Sequence, residues 1–256
     1  MPNANSKASD QTTEQPSKLP SEQDIISRLQ GTPAEVAAGL RAAAEQGFSD
    51  AQALLGQILL DGQGITQNQT EALAWFQRAA ESGHVMAINM VGRCLENGWG
   101  VYADPTAAAS WYQRASDLGL DWGMYNYANL LARGTAIPQN RTEAFRLYNA
   151  AAAMGHAKSM NIVGRFIEEG WETARDAALA FDWYRRSAEA GDFRGQFNYA
   201  SKLAEQGKEI EAAAWLRECA STATPGFRNK IAQVLLQSAK SPFVKIAAEI
   251  LSGHDD

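Results

Sequence analysis

The sequence is poor in most of what announces a particular chemistry. It holds only 2 cysteines, Cys94 and Cys219, so neither a disulfide framework nor a Cys-x-x-Cys metal or redox spacing can be drawn. Of its 3 histidines, His84 and His156 lie 72 residues apart with Leu120 midway, and neither has a neighbour at metal-ligand spacing. An excess of positive charge is also missing. The formal net charge is -6, which argues against broad phosphate-backbone binding and against a polybasic membrane anchor. No apolar run approaches the roughly eighteen residues of a membrane-spanning helix. The stretch Met1 to Pro20 is rich in Ser, Asn, Gln and Lys and lacks the apolar core of a secretory signal, so the expected location is cytoplasmic. Gly62-Gln63-Gly64 and Gly98-Trp99-Gly100 follow no strand and open no G-x-G-x-x-G or P-loop, which leaves them as turn residues. No nucleophile motif organises the serines, histidines and carboxylates. The expectation is a protein that is not an enzyme and has no catalytic residue, metal site or cofactor.

What the sequence does have is a period. Gly47, Gly83, Gly119, Gly155 and Gly191 stand 36 residues apart. Gly62, Gly98, Gly134 and Gly170 keep the interval, as do Ala72, Ala108, Ala144 and Ala180, and as do Asn68, Asp104, Asn140 and Asp176. Such columns mark a repeat protein. The Asn/Asp column precedes an apolar helical run, where a short acceptor side chain caps free backbone N–H groups. Glu71 and Glu143, three residues after Asn68 and Asn140, suggest capping boxes, and Pro105 after Asp104 occupies the first helical position. The glycine columns fall just past helix ends, where a left-handed residue closes the helix. Each repeat is thus a first helix, a short loop, a second helix and a tight turn.

A third small column, Gly56, Gly92, Ala128, Gly164 and Ala200, runs through the middle of the first helices. A mid-helix glycine costs about 1 kcal/mol relative to alanine. Close approach of a neighbouring helix is the natural compensation, with Ala79, Ala115, Ala151 and Ser187 of the second helices placed opposite. Trp75, Trp111, Leu147 and Trp183, beside Phe76, Tyr112, Tyr148 and Tyr184, read as core.

These residues resemble the Sel-one-like repeat (SLR) family, a relative of the tetratricopeptide repeats. AINMVGRCLENGWGVYADPTAAASWYQRASDLG is similar to the family's pattern of a small residue and a hydrophobic-Gly pair, a G-x-G-V loop, a capped start and W-Y-x-x-A before glycine. LLGQILLDGQGI with EALAWFQRAAESG matches equally well. Tetratricopeptide repeats have a period of about 34 and lack the G-x-G loop, so the interval favours the SLR branch. The resemblance covers residues 33 to 222 and implies an all-α fold, a right-handed α-solenoid of about five 36-residue helix-turn-helix repeats with helical caps. Its departures are Ala128 and Leu147 in the third repeat and a fifth repeat in which Trp183 and Trp215 are only 32 residues apart. The expected organisation is a disordered tail over 1–20, capping helices over 21–50, the solenoid over 51–222 and closing helices over 223–256. Thr32-Pro33-Ala34-Glu35 opens the first cap, and Pro225 to Gln237 and Pro242 to Leu251 form the last two helices. End repeats need such covers because their outer faces lack a neighbour.

A second period lies inside the first. Asn89, Val91, Gly92, Arg93, Glu96, Gly98 and Trp99 recur 72 residues later as Asn161, Val163, Gly164, Arg165, Glu168, Gly170 and Trp171. The third and fifth repeats alternate with them, Tyr125-Asn126-Tyr127-Ala128 against Phe197-Asn198-Tyr199-Ala200. Asn89, Arg93 and Glu96 share one helical stripe, and Tyr125 and Asn129 occupy its positions in the third repeat. First helices line the concave side of stacked hairpins, the usual binding surface of solenoids. Asn89, Arg93, Glu96, Tyr125, Asn129, Asn161, Arg165, Glu168 and Phe197 are therefore the candidate partner-binding residues. Asparagine can pair with a peptide backbone, and arginine can clamp a carboxylate or a chain terminus. A packing role competes: the asparagines can tie adjacent repeats, Arg93 and Glu96 can form a surface ion pair, and Trp99 and Trp171 can pack under loops. The expected function is a scaffold or adaptor for a protein or peptide of unknown identity, with no nucleic acid, no membrane insertion and an oligomeric state the sequence leaves open. The alternative is a hydrolase or β-lactam-binding enzyme of the cysteine-rich SLR type, whose paired cysteines per repeat are missing here.

Overall fold

In a computed structural model of the chain, residues 31–238 and 240–252 are described. The tail expected over 1–20, the first part of the 21–50 segment and residues 253–256 lie outside them. The described residues form 13 helices and no strand. Pro33–Glu45 precedes the repeats. The first helices are Ser49–Asp61, Val85–Asn97, Asp121–Arg133, Ala157–Glu169 and Phe193–Glu205. The second helices are Gln69–Glu81, Pro105–Asp117, Arg141–Ala153, Ala177–Glu189 and Glu209–Thr222, and Pro225–Leu236 and Ser241–Ser252 close the array. No helix among the described residues is long and apolar enough to cross a membrane.

Contacts gather the chain into two compact units, one ending at Ala79 and the other beginning at Ala80. In the first, Pro33–Glu45 packs on Ser49–Asp61. In the second, each helix from Val85–Asn97 to Phe193–Glu205 packs on the next, and the first helices of the fourth and fifth repeats also touch one another. This is an all-α solenoid of helical hairpins.

The helix ends follow the columns. Asp104, Asn140 and Asp176 cap their helices by accepting the backbone N–H of Ala107, Glu143 and Leu179 at 2.9, 3.0 and 2.9 Å. Thr32 and Glu35 form a full capping box. Glu71 and Glu143 do not take the backbone N–H of the cap, which goes to Leu59 and Leu131: the Glu71 carboxylate accepts from the Asn68 side chain, Arg41 and Trp75, and that of Glu143 from Arg146. Gly98 and Gly170 stop the second and fourth first helices at φ 74° and 72°, where a side chain would be strained. Glu172, in the loop position that Gly64 and Gly100 hold elsewhere, is the only non-glycine residue described with positive φ, at 57°.

The mid-helix glycines make room for something other than expected. A Cβ on Gly92 would meet ring carbons of Tyr112 at 2.7 Å, and one on Gly164 would meet those of Tyr184 at 3.0 Å. The small residues Ala115 and Ser187 lie instead against Gly123 and Gly195, in the first turn of the next repeat. Two close approaches therefore hold the array: glycine under tyrosine within a hairpin, and small residue against glycine between hairpins. The fully buried column is accordingly Phe76, Tyr112, Tyr148 and Tyr184. Trp111 and Trp183 are only partly buried and carry Arg114 and Arg186 over their rings at 5.7 and 4.2 Å.

Candidate partner-binding face

The candidate residues all sit on first helices of the second compact unit, and the structure divides their tasks. Asn89 and Asn161 are buried. Their side-chain oxygens accept the amide N–H of Asn126 at 2.9 Å and of Asn198 at 2.7 Å, which ties the second repeat to the third and the fourth to the fifth. Glu96 and Glu168 accept the hydroxyls of Tyr112 and Tyr184 at 2.7 and 2.6 Å. Each also meets a cation of the following repeat, Arg133 at 3.6 Å and Lys202 at 2.7 Å. Burial acts to raise the Glu168 carboxyl, but hydrogen bonds from Lys202 and Tyr184 outweigh it and hold the group below the usual carboxylate range. Burial, then the bond to the carboxylate, pushes the Tyr112 and Tyr184 phenols upward. In the third repeat Ala132 stands at the Glu96 position, and Asn129 takes over by accepting the Tyr148 hydroxyl at 2.7 Å.

The arginines are placed differently. Arg93 lies over Trp99 at 5.0 Å and Arg165 over Trp171 at 5.1 Å from the ring centroids. The tryptophans orient the two guanidinium groups without neutralising them, an interaction worth about 0.5–1 kcal/mol at exposed sites. Tyr125 belongs to an aromatic group with Trp122, Tyr148 and His156, the His156 ring centroid lying 4.8 Å from its own. His156 caps its helix by accepting the backbone N–H of Ser159 at 3.2 Å, and His84 does the same for Ala87 at 3.1 Å.

Phe197 opens onto a cavity of about 330 Å³ lined by Asn161, Arg165, Arg194, Phe197, Asn198, Phe227, Lys230, Ile231 and Val234. The structure thus brings together Asn161, Arg165 and Phe197 of the expected set. Beside them it places Arg194, Phe227 and Lys230, which the sequence reading missed. The signal was available: Lys158, Arg194 and Lys230 stand 36 residues apart, one per first helix and then in Pro225–Leu236. Arg194 lies over Phe193 and Phe227 at 4.5 and 5.7 Å, and Lys158 over Trp122 at 4.8 Å. The Lys158 ammonium is lowered from its ordinary value, first by burial and then, against the pull of Asp192, by the charges of Arg194 and Arg93. Cations of the second and fifth repeats, and the carboxylate of Asp192, are thus within electrostatic reach of Lys158. No group of three or more His, Cys, Asp or Glu that could hold a metal ion occurs among the described residues.

No curated protein matches the chain. Among solved structures, a protective antigen of uropathogenic Escherichia coli that displays an SLR fold is 26% identical, with a TM-score of 0.66 over 89% of this chain and 51% of that one. This chain therefore spans about half the length of that relative. A Sel1 repeat protein from Oxalobacter formigenes is 23% identical, with a TM-score of 0.70 over 77% and 82% of the two chains. The immunity protein Pa5087 of Pseudomonas aeruginosa is 17% identical, with a TM-score of 0.57 over 80% of each. The last two likenesses are of fold alone. The Sel1 repeat matches residues 49–84, 85–120, 123–156 and 157–192, more than half of the chain and in step with its glycine turns, and the chain belongs to the Sel1 repeat family.

Proposed function

We propose that this protein is a non-catalytic scaffold that holds a protein partner on the face formed by the first helices of its second to fifth repeats. Sel1 repeats point to protein partners, and the enzyme alternative has no support in a chain whose two cysteines are free and buried. The observation that carries the reading is the cavity where Arg165 and Phe197 meet Arg194, Phe227 and Lys230, because it joins oriented cations to partly buried aromatic surface. Arg93, Arg165, Tyr125 and Phe197 are its proposed contacts. Asn89, Asn129, Asn161, Glu96 and Glu168 hold the helices that present them.

The test is affinity capture from source-cell lysate on immobilised wild type and on the Arg93→Ala/Arg165→Ala double variant, read by quantitative mass spectrometry. Removing two stacked surface arginines costs about 1–2 kcal/mol of folding stability, which thermal melts check first. A protein captured by wild type and lost by the folded variant supports the reading. Identical captures on both overturn the assignment of this face.

A further inference from the structure

We propose that the cavity between the fourth repeat, the fifth repeat and Pro225–Leu236 receives an extended acidic peptide, its carboxylates facing Arg165, Arg194 and Lys230, one cation from each of the three helices, and an apolar side chain resting on Phe197 and Phe227. This rests on the reading that the first-helix face binds a partner, and it names the chemistry of that partner.

Charge is the first reason. The chain as a whole carries -6, yet three cations and no aspartate or glutamate line the cavity. The acids nearby do not line the cavity, although Asp192 acts on Arg194 through its charge. Glu168 is bonded to Tyr184 and Lys202, and Asp192 is buried at a helix start with one oxygen accepting the Gly195 N–H at 2.9 Å. Arg165 stacks on Trp171, and Arg194 lies on Phe193 and Phe227, so two of the three lining cations are already oriented and little side-chain entropy remains to be lost on binding.

Shape is the second. The lining includes apolar side chains: the fully buried Ile231, the half-buried Phe197 and Phe227, and a Val234 that is 49% exposed. A volume of about 330 Å³ is at the small end of ligand pockets and suits one or two side chains. Spacing is the third. Packed helices stand about 8–10 Å apart, and three residues of extended chain span about 10 Å. One cation per helix therefore matches one carboxylate per three residues of an extended partner.

The probe is a fluorescein-labelled, C-terminally amidated nonapeptide, Glu-Leu-Ser repeated three times, followed by fluorescence anisotropy on the full chain. Its controls are Gln-Leu-Ser repeated three times and a permuted peptide with the three glutamates in succession. The Glu-Leu-Ser peptide is expected to bind about tenfold more tightly than the Gln peptide and measurably more tightly than the permuted one. Arg194→Gln/Lys230→Gln should abolish the preference while leaving the melt unchanged, and Arg194→Glu/Lys230→Glu should reverse it toward Lys-Leu-Ser repeats. A free C-terminal carboxylate that alone restores binding to the Gln peptide would identify a chain terminus as the source of the anion. Equal binding of the Glu and Gln peptides, an unchanged preference in the Arg194→Gln/Lys230→Gln variant, or equal binding of an oligothymidylate of the same charge overturns the proposal. A lysate partner lost on Arg93→Ala/Arg165→Ala but kept by Arg194→Gln/Lys230→Gln would overturn it while sparing the broader reading.

Discussion

Adding one methyl group at Gly92 tests how the hairpins are held. On an open helix Gly→Ala gains about 1 kcal/mol. Here the new Cβ would lie 2.7 Å from both Cδ1 and Cε1 of Tyr112. Ordinary carbon contacts need about 3.5–4.0 Å, so the ring must withdraw by about 1 Å. It cannot do so freely: Tyr112 is fully buried and its hydroxyl is fixed to Glu96 at 2.7 Å. Overpacking of this kind costs about 1–3 kcal/mol, so the net expectation is a loss of about 1 kcal/mol. At Gly164 the contact with Tyr184 is 3.0 Å, the required shift is about half as large, and Gly164→Ala should be near neutral. The third repeat already carries the methyl group as Ala128, and there the tyrosine hydroxyl is anchored on Asn129. Grafting that set as Gly92→Ala/Arg93→Asn/Glu96→Ala should recover most of the loss. Urea unfolding followed by far-UV circular dichroism gives the numbers. A stabilisation of about 1 kcal/mol by Gly92→Ala, the bare helix value, would refute the close-approach account. A triple variant no better than the sum of its parts would refute the role given to the anchor.

Asn198→Ala leaves the buried Asn161 oxygen without its donor and should cost about 1–3 kcal/mol. A cycle with Asn161→Ala should return a coupling above about 0.5 kcal/mol, and strict additivity would remove the tie. Glu172 holds positive φ while accepting the Thr142 hydroxyl at 2.6 Å. In a Thr142→Ala background, where that bond is already gone, Glu172→Gly should raise stability by about 1 kcal/mol in urea unfolding. Burial, against Asp121 and with Lys158, lowers the His156 imidazole, so protonation favours the unfolded chain. Its contribution to stability is full above the unfolded value near about pH 6.5 and is lost as pH falls through the lower folded value. His156→Asn, which keeps a capping acceptor, should flatten the decline of Tm between about pH 7 and pH 5. An equally steep decline would show that other groups carry it.

The fold was legible because its constraints are local. Positive φ at Gly98 and Gly170 and the caps at Asp104, Asn140 and Asp176 each depend on one residue and its near neighbours, so each leaves a column at the 36-residue interval. What a glycine faces is not local. The sequence suggested small residues opposite Gly92, whereas the helix rotation in the hairpin brings the Tyr112 ring there and sends Ala115 to Gly123. The cavity was half legible. Arg165 and Phe197 belong to the repeating stripe, but Lys158, Arg194 and Lys230 mix two residue types, and Trp122 breaks their column. Phe227 has no counterpart in the stripe, and only the packing of Pro225–Leu236 could place it.

The two-repeat alternation looks at first like the signature of a ligand that reads every second repeat, but its parts have separate causes. The asparagine pairs close inside each module, Asn89 with Asn126 and Asn161 with Asn198. At the junction between modules Ile162 replaces the amide, and the aromatic group of Trp122, Tyr125 and His156 takes its place. The glutamates are bound to tyrosine hydroxyls and cations. Packing thus accounts for Asn, Glu and Gly of the alternating set and would preserve them in any module used twice. It does not account for the charges of Arg93 and Arg165, which lean on tryptophans, nor for a cation column that ignores the alternation altogether. If selection for a partner is written anywhere in this chain, it is in the positions that packing leaves unexplained, and these are the five cations Arg93, Lys158, Arg165, Arg194 and Lys230.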